Sequence, residues 1–208
     1  GAKSNKQNWY EAKDREGTAW TEYLIGTLPV CNHGTTTQGY AVAQMVAGGK
    51  PEILLHGIGV YCLQIPDSPE AGNWPYFTIL EAGGNGEWLG TGDMDGDGDL
   101  DISLGLRPES RETQSNEIAW LENPGDESGN WTVHEIGISQ WHVDKALPAD
   151  LNGDGRMDVV VSEEIWPGLN PEANMYLFEA PVDPKSSEWK RTTIVTQYSM
   201  NNLDVADM

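Results

Sequence analysis

Asp93 and Asp150 open two acidic strings of the same design, and the 57 residues between them set the period of the whole chain. The first string reads G-D-M-D-G-D-G-D-L-D-I-S-L-G from Gly92 to Gly105. The second reads A-D-L-N-G-D-G-R-M-D-V-V-V-S from Ala149 to Ser162. One period later, Asp207 is the opening of a third copy. One period earlier, A-Q-M-V-A-G-G-K-P-E-I-L-L-H from Ala43 to His56 is a degenerate copy that keeps Gly49 and ends its loop on Glu52. A fixed period of this size signals one supersecondary unit used repeatedly.

A second pattern runs in phase with the first. Each unit carries an apolar run ending near an acidic or amide residue, then a loop, then a Trp followed five residues later by an Ile. The pairs are Trp20 and Ile25, Trp74 and Ile79, Trp131 and Ile136, and Trp189 and Ile194, with Trp spacings of 54, 57 and 58. The apolar runs have strand length and lie between turn residues, and none has helical periodicity. Each unit therefore reads as four short strands, the signature of a propeller blade. The expected architecture is an all-β propeller of four-stranded blades. Its pieces are the outer two strands of a closing blade at 8–26, blades at 40–80, 89–137 and 146–195, and the first strand of a further blade at 203–208. That is about half a ring, so closure needs the rest of a longer chain or a second copy.

The acidic strings point to a hard cation. Calcium takes six to eight oxygen ligands at short range, and a tight loop must turn several inward. In the first loop Asp93, Asp95 and Asp97 would supply side-chain oxygens, Asp99 a backbone carbonyl, and Asp101 the closing carboxylate. In the second the set is Asp150, Asn152, Asp154, the Arg156 carbonyl and Asp158. Gly98 permits the sharp turn. An EF-hand would need an acid at loop position twelve, where this chain has Leu104 and Val161. Four carboxylates packed this densely repel one another unless a cation neutralises them. Two structural calcium ions are expected, and none in the degenerate loop, where Val46 and Gly48 offer no side-chain oxygen and Lys50 would lie near the place of the ion.

Composition narrows the partners. With 33 acidic and 12 basic residues the formal charge is −21, which repels a phosphate backbone and excludes nucleic acid. The longest apolar run, Ile53 to Ile65, is interrupted by His56 and glycines and is too short to span a bilayer. Cys31 and Cys62 read as two separate thiols or as one bridge.

The two acidic strings resemble FG-GAP/VCBS repeats, and the partner pattern W-L-E-N-P…W-T-V-H-E-I resembles their bacterial members. The resemblance extends from about Trp9 onward. It implies a secreted, periplasmic or cell-surface protein, a seven-bladed ring and calcium in the loops. It does not fix function, because the fold hosts lectins, adhesins and some polysaccharide lyases.

In propellers of that kind ligands bind opposite the calcium loops. The segments entering each inner strand there carry Glu87 and Trp88, Trp141, His142 and Asp144, and Tyr198 and Asn201. Aromatic faces beside amides and carboxylates suit sugar rings. The first reading is a carbohydrate-binding module. The alternative is a polysaccharide lyase or other glycan-active enzyme, with His33 or His142 as base, Tyr40 or Tyr198 as acid, and Lys145 or Arg107 neutralising a carboxylate. The second alternative is a protein-binding adhesion scaffold.

Overall fold

A computed structural model describes residues 6–28, 39–84, 87–107, 116–126, 129–165, 172–186 and 188–206. Every described strand pairs antiparallel with its sequence neighbour, giving four sheets. The first has two strands, β1 (Lys6–Ala12) and β2 (Trp20–Thr27). The second holds β3 (Gly39–Ala43), β4 (Glu52–His56), β5 (Val60–Leu63) and β6 (Tyr76–Leu80). The third holds β7 (Gly90–Gly92), β8 (Asp101–Leu106), β9 (Glu117–Glu122) and β10 (Thr132–Ile138). The fourth holds β11 (His142–Ala149), β12 (Asp158–Glu164), β13 (Ala173–Glu179) and β14 (Lys190–Gln197). One 3-10 turn, Pro69–Ala71, interrupts the β5–β6 connection. The arrangement is all-β and blade-like, with a sheet for each sequence unit.

Strand alternation decides how the sheets stack. On β9, Ala119 and Leu121 face the second sheet, packing with Leu54, Val60 and Cys62. Ile118 and Trp120 point the other way and pack with Val159, Val161 and Phe178 of the fourth sheet. β5 behaves likewise, with Val60 and Cys62 on one side and Tyr61 and Leu63 on the other, against Ile25 and Trp74. A strand buried on both faces must be apolar at successive positions, and this is why I-A-W-L and V-Y-C-L are continuous. Each large aliphatic side chain among them contributes about 1.5–3 kcal/mol of burial.

The repeated Ile is a bulge residue. Register shifts fall opposite Ile25, Ile79, Ile136 and Ile194, one in each outer pair. An extra residue in one strand bends it and re-aims a side chain. Ile25, Ile79 and Ile136 are thereby buried among side chains of the next sheet.

Inner strands of consecutive sheets come close. β11 packs on β7 and β8, and β3 touches β7. A Cβ on Gly90 would lie 2.5 Å from Pro148 Cδ and 2.6 Å from the Ala146 carbonyl oxygen, so only glycine fits there. Asp207, Cys31 and His33 lie outside the described residues. Cys62 is buried on β5. Among the described residues no helix is long and apolar enough to cross a membrane.

Candidate functional site

The two acidic loops, between β7 and β8 and between β11 and β12, share one hydrogen-bond plan. Asp93 accepts from the Gly96 N–H at 2.8 Å and the Gly98 N–H at 3.1 Å. Asp150 accepts from Gly153 at 2.8 Å and Gly155 at 2.9 Å. The next two acidic or amide residues accept along the loop in both copies. Gly98 and Gly155 have φ of 98° and 85°, a region where a Cβ is strained.

The last aspartate of each loop is a buried clamp. Asp101 accepts from Met94 N and Asn123 N, both at 2.8 Å, tying the loop entrance to the end of β9. Asp158 does the same with Leu151 N at 3.3 Å and Ala180 N at 2.9 Å. Burial pushes the Asp101 carboxyl up to about 7, against the two N–H donors and aided by the Asp95 and Asp97 charges.

Oxygens of Asp93, Asp95 and Asp101 all lie within 4.8 Å of one another. This donor set fits a hard divalent cation. Among the described residues the second loop gathers no such trio. There Asn152 replaces an acid, and the Arg156 guanidinium bonds Asp154 in the same turn. A lysine from a neighbouring connection intrudes on the first loop. Lys185 Nζ stands 3.0 Å from Asp95 Oδ2 and 2.7 Å from Glu122 Oε1, and these two carboxylates raise its pKa.

In the degenerate loop Lys50 does not occupy the centre. Its long tail carries Nζ past the loop to the Pro66 carbonyl at 2.7 Å and to Asp67 at 3.1 Å. The shorter Gln44 amide turns inward instead. Its Nε2 donates to the carbonyls of Val46 at 2.6 Å, Gly48 at 2.9 Å and Lys50 at 3.4 Å. Glu52 keeps the clamp, accepting from Met45 N at 2.9 Å.

The opposite end of the inner strands gathers a second polar group. The segment from His142 to Lys145 is not a loop entering a strand, as the sequence suggested. It is the start of β11, and Asp144 is a bulge residue between Val143 and Lys145. The bulge sends the Asp144 carbonyl to the Trp88 N–H at 3.0 Å. The Asp144 carboxyl is buried, and its Oδ2 has no partner. Burial, then the Glu87 and Glu164 charges, push this carboxyl up to about 8, with Lys145 opposing.

Glu87, 1% exposed, has Oε1 3.3 Å from His142 Nε2, and its own carbonyl is 2.7 Å from His56 Nδ1. His56 is fully buried with Nε2 unpartnered, and burial lowers its pKa to about 4. Trp88 and Lys145, next in sequence to Glu87 and Asp144, line a groove of about 350 Å³ between β3, β7 and β11, together with Tyr40 and Asp204 among others. The Tyr40 and Trp88 rings are tilted at 49° with centroids 5.1 Å apart, and Lys145 Nζ lies 5.5 Å from the Trp88 ring.

The expected ligand residues thus divide. Glu87, Trp88, His142 and Asp144 are brought together. Trp141 packs with Ile165, Ala173 and Met200 and donates to the Glu172 carbonyl at 3.1 Å. Asn201 is exposed and donates to Glu164 at 2.9 Å, and Tyr198 is exposed in the connection after β14. His56, Lys185 and the inward turn of Gln44 were not foreseen.

Residues 93–161 match the family model of the FG-GAP-like repeat. The match begins at the first aspartate of one acidic loop and runs through the second. The chain is also 32% identical over 91 residues to an aldos-2-ulose dehydratase of Phanerodontia chrysosporium. That alignment covers 42% of this chain and 10% of the relative, so the chain spans about a tenth of the length of the curated protein it resembles. The carboxylate trio is a donor set that could hold a metal ion.

Proposed function

We propose that this chain is part of a sugar-active elimination enzyme built on a calcium-pinned β-propeller. The observation that carries the reading is the contact of buried Glu87 with His142 and the unpartnered Asp144, whose sequence neighbours Trp88 and Lys145 line the aromatic groove. This favours the glycan-active alternative over a passive binding module or an adhesion scaffold, because recognition alone does not require a carboxyl driven into an apolar setting. The relative that bears the name of a sugar dehydratase supports the same choice.

Elimination next to a carbonyl needs a base and an acid. His142 donates its Nε2 hydrogen to Glu87, which leaves Nδ1 as the basic nitrogen. His142 takes the proton from the carbon beside the carbonyl, and the electron pair forms the new carbon–carbon double bond. Asp144, held protonated at neutral pH, gives its proton to the departing hydroxyl, which leaves as water. Glu87 acts as a positioning residue.

Calcium belongs in the loops at Asp93–Asp101 and Asp150–Asp158, with Asp97, Asp99, Asn152 and Arg156 completing the shells. There it pins the first hairpin of each blade and adds its binding energy to folding. The four sheets are read as consecutive blades of a propeller ring. A secreted or periplasmic setting would supply the calcium.

The test is an absorbance assay for an unsaturated product after incubation with a 2-keto aldose and, separately, with a uronate polymer. Product formation lost in His142→Ala, with the fold retained, is the expected result. No product from either substrate at any calcium concentration would reject the reading.

A further inference from the structure

Resting on the elimination reading, we propose that the Tyr40–Trp88–Lys145 groove is a subsite for an uncharged sugar ring. Tyr40 is 54% exposed on the innermost strand of its sheet, and Trp88 braces its ring from the side. An exposed aromatic face held rigid by a second ring offers apolar contact to sugar C–H groups at low entropic cost. The polar equipment includes the Lys145 ammonium, the Asp204 carboxylate and the hydroxyls of Tyr40 and Thr91. Lys145 Nζ is fixed by Asn202 Oδ1 at 3.1 Å and by the Trp88 ring. Asp204 lines the same groove. Donors and an acceptor in one groove suit the hydroxyls of a sugar ring.

The same groups disfavour an anion. Among the described residues Lys145 is the single cation lining the groove, and it is already engaged. Against it stand Asp204 in the wall and the buried carboxyl of Glu87, next in sequence to Trp88, in a chain of formal charge −21. A sugar carboxylate would meet net repulsion there, whereas a neutral ring meets none. The uronate substrates of a polysaccharide lyase are therefore the wrong class for this groove.

The experiment is an NMR titration of the whole chain with methyl glucoside and with methyl glucosiduronate, which differ only at C6. The glucoside should bind and the glucosiduronate should bind at least about tenfold more weakly, a difference of about 1.4 kcal/mol. Tyr40→Ala, at an exposed position, should abolish glucoside binding, and Lys145→Met should weaken it. Equal or tighter binding of the glucosiduronate, glucoside binding that survives Tyr40→Ala, or no binding of the glucoside would each overturn the proposal. Sugar binding without turnover in the absorbance assay would sink the elimination reading and leave the subsite standing. Turnover that ignores Tyr40→Ala would do the reverse.

Discussion

Trp120 and Trp189 donate their indole N–H groups to one acceptor, the Pro184 carbonyl, at 3.3 and 3.2 Å. One indole comes from β9 of the third sheet and the other from the connection into β14 of the fourth, so a single oxygen staples two sheets. Trp9 and Trp74 repeat the arrangement on the Pro69 carbonyl at 3.4 and 2.9 Å, joining the first sheet to the second. Between the second and third sheets the third-strand position holds Tyr61, and one link there is Asn123 Nδ2 to the Met45 carbonyl at 2.9 Å. The seams of the fold thus alternate in kind.

Trp120→Phe keeps most of the buried ring and removes one N–H. It should cost about 1 kcal/mol, whereas Trp120→Ala should cost about 3–5 kcal/mol through lost packing. Chemical denaturation of both variants measures the difference. No loss in Trp120→Phe would mean that the staple adds nothing beyond ring volume.

Calcium should raise the melting temperature, and excess chelator should lower it with no rescue by magnesium, which demands stricter octahedral geometry. Asp95→Asn should weaken cation binding measured by calorimetry. Lys185→Met should act oppositely. It removes a rival cation from Asp95, and a partly exposed ion pair of about 0–1 kcal/mol corresponds to affinity raised up to about fivefold. Affinity lowered by Lys185→Met would show that the lysine positions the carboxylate rather than competing for it.

Gln44→Ala leaves three inward carbonyls without their shared donor. The loss should be about 1–2 kcal/mol, tempered by water access to an exposed loop. It should be the same with or without calcium. A calcium-dependent loss would indicate that this loop also takes an ion.

Asp144 sets a pH dependence. Its folded carboxyl titrates near 8, against about 3.9 for an unfolded aspartate. Between those values the folded state holds the extra proton, so stability falls as pH rises from about 4 to about 8, by at most about 1.4 kcal/mol per unit. Asp144→Asn should flatten this slope, raise the melting temperature at pH 8 and abolish elimination. His56 contributes at the acid end. Its folded pKa near 4 lies below the ordinary value, so this contribution is lost as pH falls from about 6.5 to about 4. Melting curves across pH 4 to 9 for both the parent chain and Asp144→Asn, on the ranges just given, would expose either failure.

Much of this was legible in the residues. The period of 57 and the Trp–Ile pairs located the sheets because a repeated unit repeats its turn chemistry. That each Ile is a bulge was not readable, since a bulge exists only relative to a partner strand's register. Asp144 looked like a loop residue for the same reason. Lys185 and Asp95 are far apart in sequence, and nothing local announces a pairing between neighbouring sheets. His56 read as a mere interruption of an apolar run, yet burial makes it one wall of the polar cluster. Side-chain reach decided between Lys50 and Gln44, and reach depends on where the loop carbonyls turn.

Gln44 is tethered to the chain whose loop it fills. Its local concentration is set by geometry and does not vary with the medium. The second sheet can therefore complete its first hairpin as soon as residues 39–56 are synthesised, even where the ion is scarce. On the calcium reading proposed above, the third and fourth sheets would wait for an external supply. Assembly would then proceed from the N-terminal side outward, with a finished template on which each later sheet condenses as its ion arrives.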